Sequence, residues 1–580
     1  MSQFWVNMLF VAGSFGIYTW IAIWARAKST REFYIAGGEV HPVLNGMATA
    51  ADWLSAASFI SVAGLISVGY VNSSFILGWT GGYVLLATLL APYLRRFGKY
   101  TVPDFVGSRY DSKAARLVAV VCLLMISLTY VIGQMTGAGV AFSRFLEVSS
   151  TTGLIISAVV VFAYAVLGGM KGVTYTQVAQ YVVLILAFTI PAIYLSLQMT
   201  GHFLPQVGFV SEIANSDQYL LHKLNEVVSQ LGFHDYTADV KNKWNMFLFT
   251  LTLMVGTAGL PHVIIRFFTV PKISDARWSA GWALVFIALF YTTAPPLAGM
   301  ARLNLLDVLY PEGTQNEPMA YDERPEWFKK WEHTGLLSFD DKNHDGYIQY
   351  YNDKNTEFDN TVAAERGWKG NELTINNDIL VLALPEIDNM PGWIIGLMAA
   401  GGIAAALSTA SGLLLAISSA VSHDLIKNTL YPNISDKAEM LAARISMVGA
   451  ITIATWLGIN PPGFAAQTVA LAFGMAASSI FPALIMGIFF KRINAKGAVA
   501  GMSVGALFTI GYIFMYLGWF FIPGTNNFPN TPEFWILGIS PLSIGCIGAL
   551  INFIVAIAVS YATEEPSAEI QKMVESVRYP

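Results

Sequence analysis

Apolar residues in this chain gather into long runs separated by short polar connectors. A helix needs about 20 predominantly apolar residues to cross a bilayer. Runs of that order fall near residues 4–24, 42–70, 75–94, 115–146, 152–169, 174–199, 244–268, 278–302, 391–423, 438–458, 463–490, 497–522 and 533–561, which predicts 13 transmembrane helices. Basic residues cluster on alternate connectors: Arg26, Lys28 and Arg31; Arg95, Arg96, Lys99, Arg109 and Lys113; Lys171; Lys272 and Arg277; Lys427; Lys491, Arg492 and Lys496. The intervening connectors are short or acidic. The positive-inside tendency then places the N-terminus outside and the C-terminus in the cytoplasm, and an odd helix count satisfies both ends. Two segments break the rhythm. Residues 201–243 are mixed and partly amphipathic, and residues 303–390 form a polar, acidic, aromatic-rich extracytoplasmic insert. A polar cytoplasmic tail, 563–580, is expected to be helical over 567–577.

Composition narrows the class to a polytopic, all-α membrane protein. Of 580 residues, 55% are hydrophobic and only 12% charged, where soluble domains carry about 25% charged residues. The mean hydropathy is +0.53. The net charge of −5 carries little information, because the acid is concentrated in the insert, and no nucleic-acid partner is expected. The first run, Phe4 to Trp24, lacks a basic leader and is followed by basic residues, so it reads as a retained span rather than a cleaved signal. Cys122 and Cys546 both lie in apolar runs and read as structural.

One charge lies inside a span. Asp52 sits in Gly46-Met-Ala-Thr-Ala-Ala-Asp-Trp-Leu-Ser-Ala-Ala-Ser-Phe59, among small residues. A charge at bilayer depth costs roughly 2.5–3.5 kcal/mol on insertion scales and usually faces a cavity or ion path, so this span reads as an interrupted helix that binds something. The seventh span carries a second disrupted stretch, Val255-Gly-Thr-Ala-Gly-Leu-Pro-His262. Counting five helices from each gives two sets, spans 2–6 and 7–11, of opposite orientation, each opening on a disrupted helix. Paired disrupted helices point to an inverted-repeat transporter with its site near the midplane. The chain then divides into a first helix with its cytoplasmic loop (1–41), a first repeat (42–200), an extracytoplasmic loop (201–243), a second repeat (244–490) containing the insert, helices 12 and 13 (491–562) and the tail.

The ninth span reads Ala404-Ala-Ala-Leu-Ser408-Thr409-Ala-Ser411-Gly412. Such hydroxyls often only bond back to the i−4 carbonyl. A hard cation, however, needs oxygen ligands, and unwound carbonyls with hydroxyls supply them. Span 2 offers carbonyls near Ala51 and Leu54; span 9 offers the Ala405 carbonyl and the Ser408 and Thr409 hydroxyls.

These segments resemble the sodium:solute symporter family, whose members share a LeuT-type core of five plus five helices. The resemblance covers about residues 4–562. Ala51-Asp52 with Ser55-Ala-Ala-Ser-Phe59, Pro261-His-Val-Ile-Ile-Arg-Phe267, and Ser408-Thr409 ahead of Ser422-His-Asp424 carry it. The resemblance implies a sodium site from Ala51, Leu54, Ala405, Ser408 and Thr409, with Asp52 matching an aspartate that proline-type members need for sodium coupling. The wording is closest to acetate/monocarboxylate permeases, through Arg31-Glu-Phe-Tyr-Ile-Ala-Gly-Gly38, Gly78-Trp-Thr-Gly-Gly-Tyr83, Leu90-Ala-Pro-Tyr-Leu-Arg-Arg96, Thr101-Val-Pro-Asp-Phe-Val106 and Ser419-Ala-Val-Ser-His-Asp424. It implies a bacterial inner-membrane location, and some close relatives are encoded beside a short two-helix membrane subunit, a candidate partner here. Sugar-type relatives carry a glutamine where Ser58 falls, so a smaller solute is expected.

A small carboxylate needs donors, and exposed N–H groups at a half-helix start supply them. The breaks at Ser55–Ser58 and at Gly256, Thr257, Ala258, Gly259 and Leu260 are candidates, with Trp79, Thr80 and Gln134 as further lining; ordinary helix packing accounts for each equally well. His262 either faces the solute or caps backbone, and Arg266 either pairs with an inside-facing gate residue or, more simply, snorkels toward the cytoplasmic interface.

The insert contains Asp341-Lys-Asn343-His-Asp345-Gly346-Tyr347-Ile348, a D-x-N-x-D-G loop of the calcium-binding kind. Asp341, Asn343, Asp345 and the Tyr347 carbonyl are its candidate ligands for calcium, with Asn352 or Asp353 in the place of the usual final glutamate; an Asx-rich turn is the alternative. The chain is expected to be a secondary symporter bringing in sodium and a small monocarboxylate such as acetate. Two other functions stay open: a proton-coupled carrier or carrier of another solute, such as an amino acid or larger carboxylate, and a solute-binding membrane sensor. No nucleophile–base pair in the spans suggests an enzyme.

Overall fold

The computed structural model describes residues 2–578. Among them, eight helices are long and apolar enough to cross a membrane alone, or eleven when each sharply bent pair counts as one span. Two shorter apolar helices, Ser150–Ala163 and Gly545–Tyr561, accompany them. The protein is a multi-pass helical membrane protein. Its outer helices show why they face lipid. Trp5, Leu9, Trp20, Ile23 and Trp24 on Gln3–Trp24, and Leu441, Ile445, Ile453 and Trp456 on Asp436–Gly458, all point outward and exposed.

At the centre runs Gly392–Leu430, wholly buried across its apolar window. Its Gly, Ala and Ser content lets neighbours approach closely, the usual currency of helix packing in lipid. A Cβ on Gly401 would lie 2.2 Å from Ala187 Cβ, and one on Gly396 2.8 Å from Phe10. Around this helix pack Gln3–Trp24, Lys113–Leu146 and the long Ser150–Thr200. Ser150–Thr200 joins the two spans expected at 152–169 and 174–199. It swerves at Gly169, whose left-handed φ of 57° tolerates no side chain without strain.

Three spans break. Pro42–Trp53 bends by 59° into Ala57–Val68, and Lys243–Thr257 by 42° into Pro261–Phe268. The third bend, 46° between Tyr70–Leu89 and Ala91–Phe97, departs from the single span expected at 75–94. Pro92, in the first turn of the new helix, has no N–H to continue the preceding ladder.

Two other differences have local causes. The last apolar span begins at Gly545, not near 533. Leu537 and Gly538 adopt left-handed φ of 54° and 67°, and Pro541 disfavours helix in the residue before it. The helix Ala294–Leu309 runs past the insert boundary expected at 303, because Leu303, Leu305, Leu306 and Leu309 keep it buried. The insert is not purely helical. Strands Leu337–Phe339 and Leu373–Ile375 pair antiparallel, Leu337 opposite Ile375.

The insert is fastened to the helical core. The Asn377 carbonyl lies against Gly64, where a Cβ would come within 1.9 Å of it. The Asp378 carboxylate accepts the Ala465 N–H at 3.3 Å. Arg144 ion-pairs with Glu386 and stacks on Trp331, 5.1 Å from its ring centre.

Candidate ion and solute site

The first break frees two carbonyls. In an intact helix the Ser55 and Ala56 N–H groups would bond to Ala51 and Asp52. Instead the Ser55 N–H turns back to the Trp53 carbonyl at 2.9 Å, and the Ala56 N–H donates to Gln134 Oε1 at 3.0 Å. The released carbonyls are met from the central helix. Thr409 Oγ1 donates to the Asp52 carbonyl at 2.7 Å, and Ser408 Oγ lies 2.7 Å from the Ala51 carbonyl and 3.0 Å from that of Ala405. Carbonyl oxygens of Ala51, Asp52 and Ala405 and two hydroxyls thus converge, an all-oxygen set suited to a hard monovalent cation. Leu54, also expected to contribute, is the residue at which the helix breaks, with ψ at 63°.

The Asp52 side chain lies beside this cluster and is fully enclosed. Arg266 donates through Nε and Nη2 to Asp52 Oδ2, both at 3.2 Å, and Gln177 Nε2 donates to Asp52 Oδ1 at 3.2 Å and to the Ser408 carbonyl at 2.8 Å. Arg266 also donates to Thr174 Oγ1 at 2.8 Å and to the side-chain amide oxygen Oε1 of Gln177. Its own backbone carbonyl accepts from Asn45 Nδ2 at 3.0 Å. Arg266 is 0% exposed, so the snorkelling expected from sequence is overturned. The bend after Thr257 carries Arg266 into the core, where a buried guanidinium must be paired. Gly412 makes room for the carboxylate, since a Cβ there would stand 2.4 Å from Asp52 Oδ1.

On the other side of the break lies a chamber-like cluster of packed, buried rings. Phe473 is its hub, 5.6 Å from Trp79, 5.8 Å from Tyr130 and 6.4 Å from Trp53. Trp53 also meets Tyr83 at 5.4 Å, Tyr130 meets His262 at 5.0 Å, and Trp79 stacks on Tyr291 at 6.4 Å. Ser58 Oγ shares a hydrogen bond of 2.8 Å with the Tyr291 hydroxyl. Several buried polar atoms of this chamber have no protein partner: Trp79 Nε1, Tyr83 Oη, Gln134 Nε2 and both His262 ring nitrogens. Each unsatisfied buried group costs roughly 1–3 kcal/mol, so their concentration in one place suits a polar ligand. Thr80 Oγ1 is likewise unpartnered, and Ser55 is buried at the break. A cavity of about 410 Å³ is lined by Asn72, Phe75, Asn245, Phe249 and Trp535, and the Phe75 ring lies 5.5 Å from Trp79.

The second break offers less than expected. The N–H groups of Ala258, Gly259 and Leu260 already donate to Val255, Gly256 and Thr257. Gly256 and Gly259 serve close packing: a Cβ would lie 2.1 Å from the Phe473 carbonyl at the first and 2.8 Å from that of Ala476 at the second. The Thr257 hydroxyl donates to Leu253. Gln134 acts as a cap on the first break. Phe473, one aromatic among many in the chain, had no distinguishing pattern in sequence.

In the insert, Asp341, Asp345 and Glu372 each place a carboxylate oxygen within 4.8 Å of the others. Asn343 Nδ2 donates to Asp345 Oδ2 at 2.7 Å. Asn352 and Asp353 are turned away from this group. Asn352 Nδ2 donates to the Gly232 carbonyl at 3.1 Å, and Asp353 accepts the Asn371 N–H at 3.1 Å. Tyr347 sits in an isolated bridge to Ala320. Glu372, 27 residues beyond Asp345, lay outside the twelve-residue window that the motif covers.

The sodium:solute symporter family profile matches residues 33–301 and 366–505. An uncharacterized symporter of Cupriavidus necator is 32% identical over 99% of this chain and 94% of its own length. A monocarboxylic acid transporter of Corynebacterium glutamicum is 29% identical over 86% of this chain and 82% of its own. Among solved structures, a Na⁺-coupled sialic acid symporter in a substrate-bound, outward-open state superposes with a TM-score of 0.67, covering 97% of this chain and 98% of that one at 16% identity, and so shares the fold.

Proposed function

The chain belongs to the sodium:solute symporter family, and from that premise we propose that it brings a small monocarboxylate such as acetate into the cell on an inward sodium gradient. The carrying observation is the pair of hydroxyls, Ser408 and Thr409, set on the freed carbonyls of Ala51 and Asp52. In this reading sodium replaces those hydroxyl–carbonyl contacts with its own bonds to the same oxygens and pins the first broken helix to the central one. The carboxylate takes the donors of Trp79, Gln134 and His262, and its small apolar end lies against Phe473. The loaded helices then rock and release both inward, with no covalent step. The relative that transports monocarboxylic acids and the aromatic chamber, with no ion-paired Lys or Arg among its described lining residues, support a small, singly charged solute. Asp52, engaged by Arg266 from two nitrogens, serves as a positioning group rather than a proton carrier. We assign 13 spans, by counting the eleven spans and the two shorter apolar helices together, with the N-terminus outside and the C-terminus in the cytoplasm of a bacterial inner membrane.

Uptake of radiolabelled acetate into proteoliposomes holding only this chain, with and without an inward sodium gradient, tests the proposal. Accumulation that requires sodium is the expected result. Accumulation driven by a proton gradient alone refutes sodium coupling. If acetate is refused under both gradients, repeating the assay with the candidate two-helix subunit and with other carboxylates separates a missing partner from a wrong solute.

A further inference from the structure

The transport reading leaves the acidic group of the insert unused. We propose that Asp341, Asp345, Glu372 and the side-chain amide of Gln349 form a binding site for a hard divalent cation of the calcium class. Calcium bonds oxygens at about 2.3–2.6 Å, so ligands across one ion are separated by at most about 5 Å. The three carboxylate oxygens, all within 4.8 Å of one another, meet that limit. Nothing else neutralises them: among the described residues none of the three carboxylates is ion-paired to a Lys, Arg or His. Lys342, inside the loop, gives its ammonium to the Asn371 carbonyl at 2.7 Å.

Gln349 supplies an independent pointer. It is 0% exposed and directs its amide at both Asp345 carboxylate oxygens, at 3.0 and 2.9 Å through Nε2, while its buried Oε1 has no partner. An amide's oxygen and nitrogen exchange places on a half-turn. Turned, Gln349 would bring its orphan oxygen to the carboxylate, an arrangement only a cation between them makes favourable. The loop is pre-shaped for this. Asp341 Oδ1 accepts the His344 N–H at 2.7 Å, and Oδ2 accepts that of Gly346 at 3.1 Å. Glu372 is held over the loop by the N–H groups of Lys342 at 2.9 Å, Asn343 at 3.3 Å and Gln349 at 3.4 Å. It occupies, from the residue preceding strand Leu373–Ile375, the role the missing twelfth-position glutamate would have played. A mixed, irregular oxygen set suits calcium over magnesium, which demands near-octahedral geometry and keeps its waters.

The ion would clamp the loop to the start of strand Leu373–Ile375, which leads directly into the Asn377–Ile379 turn seated on Gly64. Equilibrium dialysis of ⁴⁵Ca²⁺ against the full-length protein, purified through a chelator, tests the site. The expected result is one calcium per chain with a Kd of roughly 10⁻⁴–10⁻³ M, the range of extracellular modules. Magnesium should compete at least ~10-fold less well, and E372Q and D345N should each weaken binding about 10-fold or more. Asp345 is exposed, so D345N removes a ligand while leaving the buried side chains in place. Absence of saturable binding up to ~10 mM, equal competition by magnesium, or wild-type affinity in D345N would each overturn the proposal.

Discussion

Replacing Arg266 with methionine removes a guanidinium that touches Asp52, Gln177 and Thr174 and keeps an apolar stem of similar reach. Asp52 is 1% exposed and Arg266 0%, so bulk solvent does not reach the pair to replace the lost partner. Breaking a buried pair by removing one member costs about 3–5 kcal/mol, because the other charge stays behind unpaired. Gln177 Nε2, at 3.2 Å from Asp52 Oδ1, can hold the carboxylate but cannot neutralise it. The double variant D52N/R266M carries no charge and is expected to recover most of that stability, since neutral replacement of a whole buried pair is often harmless. It should still fail to transport, because the field of Asp52 beside the freed carbonyls is gone. The assay is heat-induced loss of monodisperse protein in detergent for wild type, both single variants and the double variant, read as a thermodynamic cycle, with sodium-driven uptake alongside. A coupling energy near zero, or an R266M single variant as stable as the wild type, would refute the reasoning.

Three further outcomes follow from the same geometry. Replacing Ser408 and Thr409 together with alanine deletes two of the five converging oxygens; each contact to a charged group is worth roughly 1.5–3 kcal/mol, so half-maximal uptake should need at least ~10-fold more sodium, and unchanged sodium dependence would remove the ion-site assignment. Gly412→Ala forces a Cβ to within 2.4 Å of Asp52 Oδ1 and should abolish uptake in protein that still reaches the membrane; wild-type uptake would mean that the Asp52 position does not matter. Trp79→Phe keeps the ring against Phe473 but removes the unpartnered Nε1 donor, and solute affinity measured by competition should fall roughly 10-fold or more with sodium affinity unchanged; a parallel loss of both would make Trp79 a packing residue.

The parts of this architecture visible in sequence are those governed by local pattern. Apolar run length marks the spans, because the bilayer sets it. The small-residue run at 46–58 and the Gly-Pro stretch at 255–262 mark the two breaks, because backbone that leaves the helix needs such residues. Adjacent Ser408 and Thr409 stood out as polar neighbours in an apolar helix. What was not legible depends on which distant residues a bend brings together. Arg266 lies 214 positions from Asp52, and only the 42° turn separates an interfacial arginine from a buried counter-ion. Gln134 gave no sign that it would cap Ala56 from 78 positions away. The glycines at 256 and 259 were legible as a break but not as the packing seam against Phe473 and Ala476. Glu372 escaped notice for the same reason, joining its loop through a strand pairing rather than through the motif.

Placing the ion cluster and the aromatic chamber on one helix break gives coupling a physical basis. The break has two sides: carbonyls of Ala51 and Asp52 face the central helix, while the Ala56 N–H faces Gln134 and the chamber. A cation on the carbonyl side would fix the orientation of the same three or four peptide units whose other side holds Gln134 by its Oε1, and with it the direction of the free Nε2. Solute bound at Nε2, as proposed, would fix the same units from the opposite face. Each ligand would therefore lower the ordering cost of the other, and by thermodynamic reciprocity sodium would raise solute affinity by the factor that solute raises sodium affinity. Coupling of this kind is typically about 1–3 kcal/mol, or roughly 5- to 150-fold. It requires no charge transfer between the sites and no motion of Asp52, only that the unwound turn from Leu54 to Ala56 be less ordered when both faces are bare than when either is engaged.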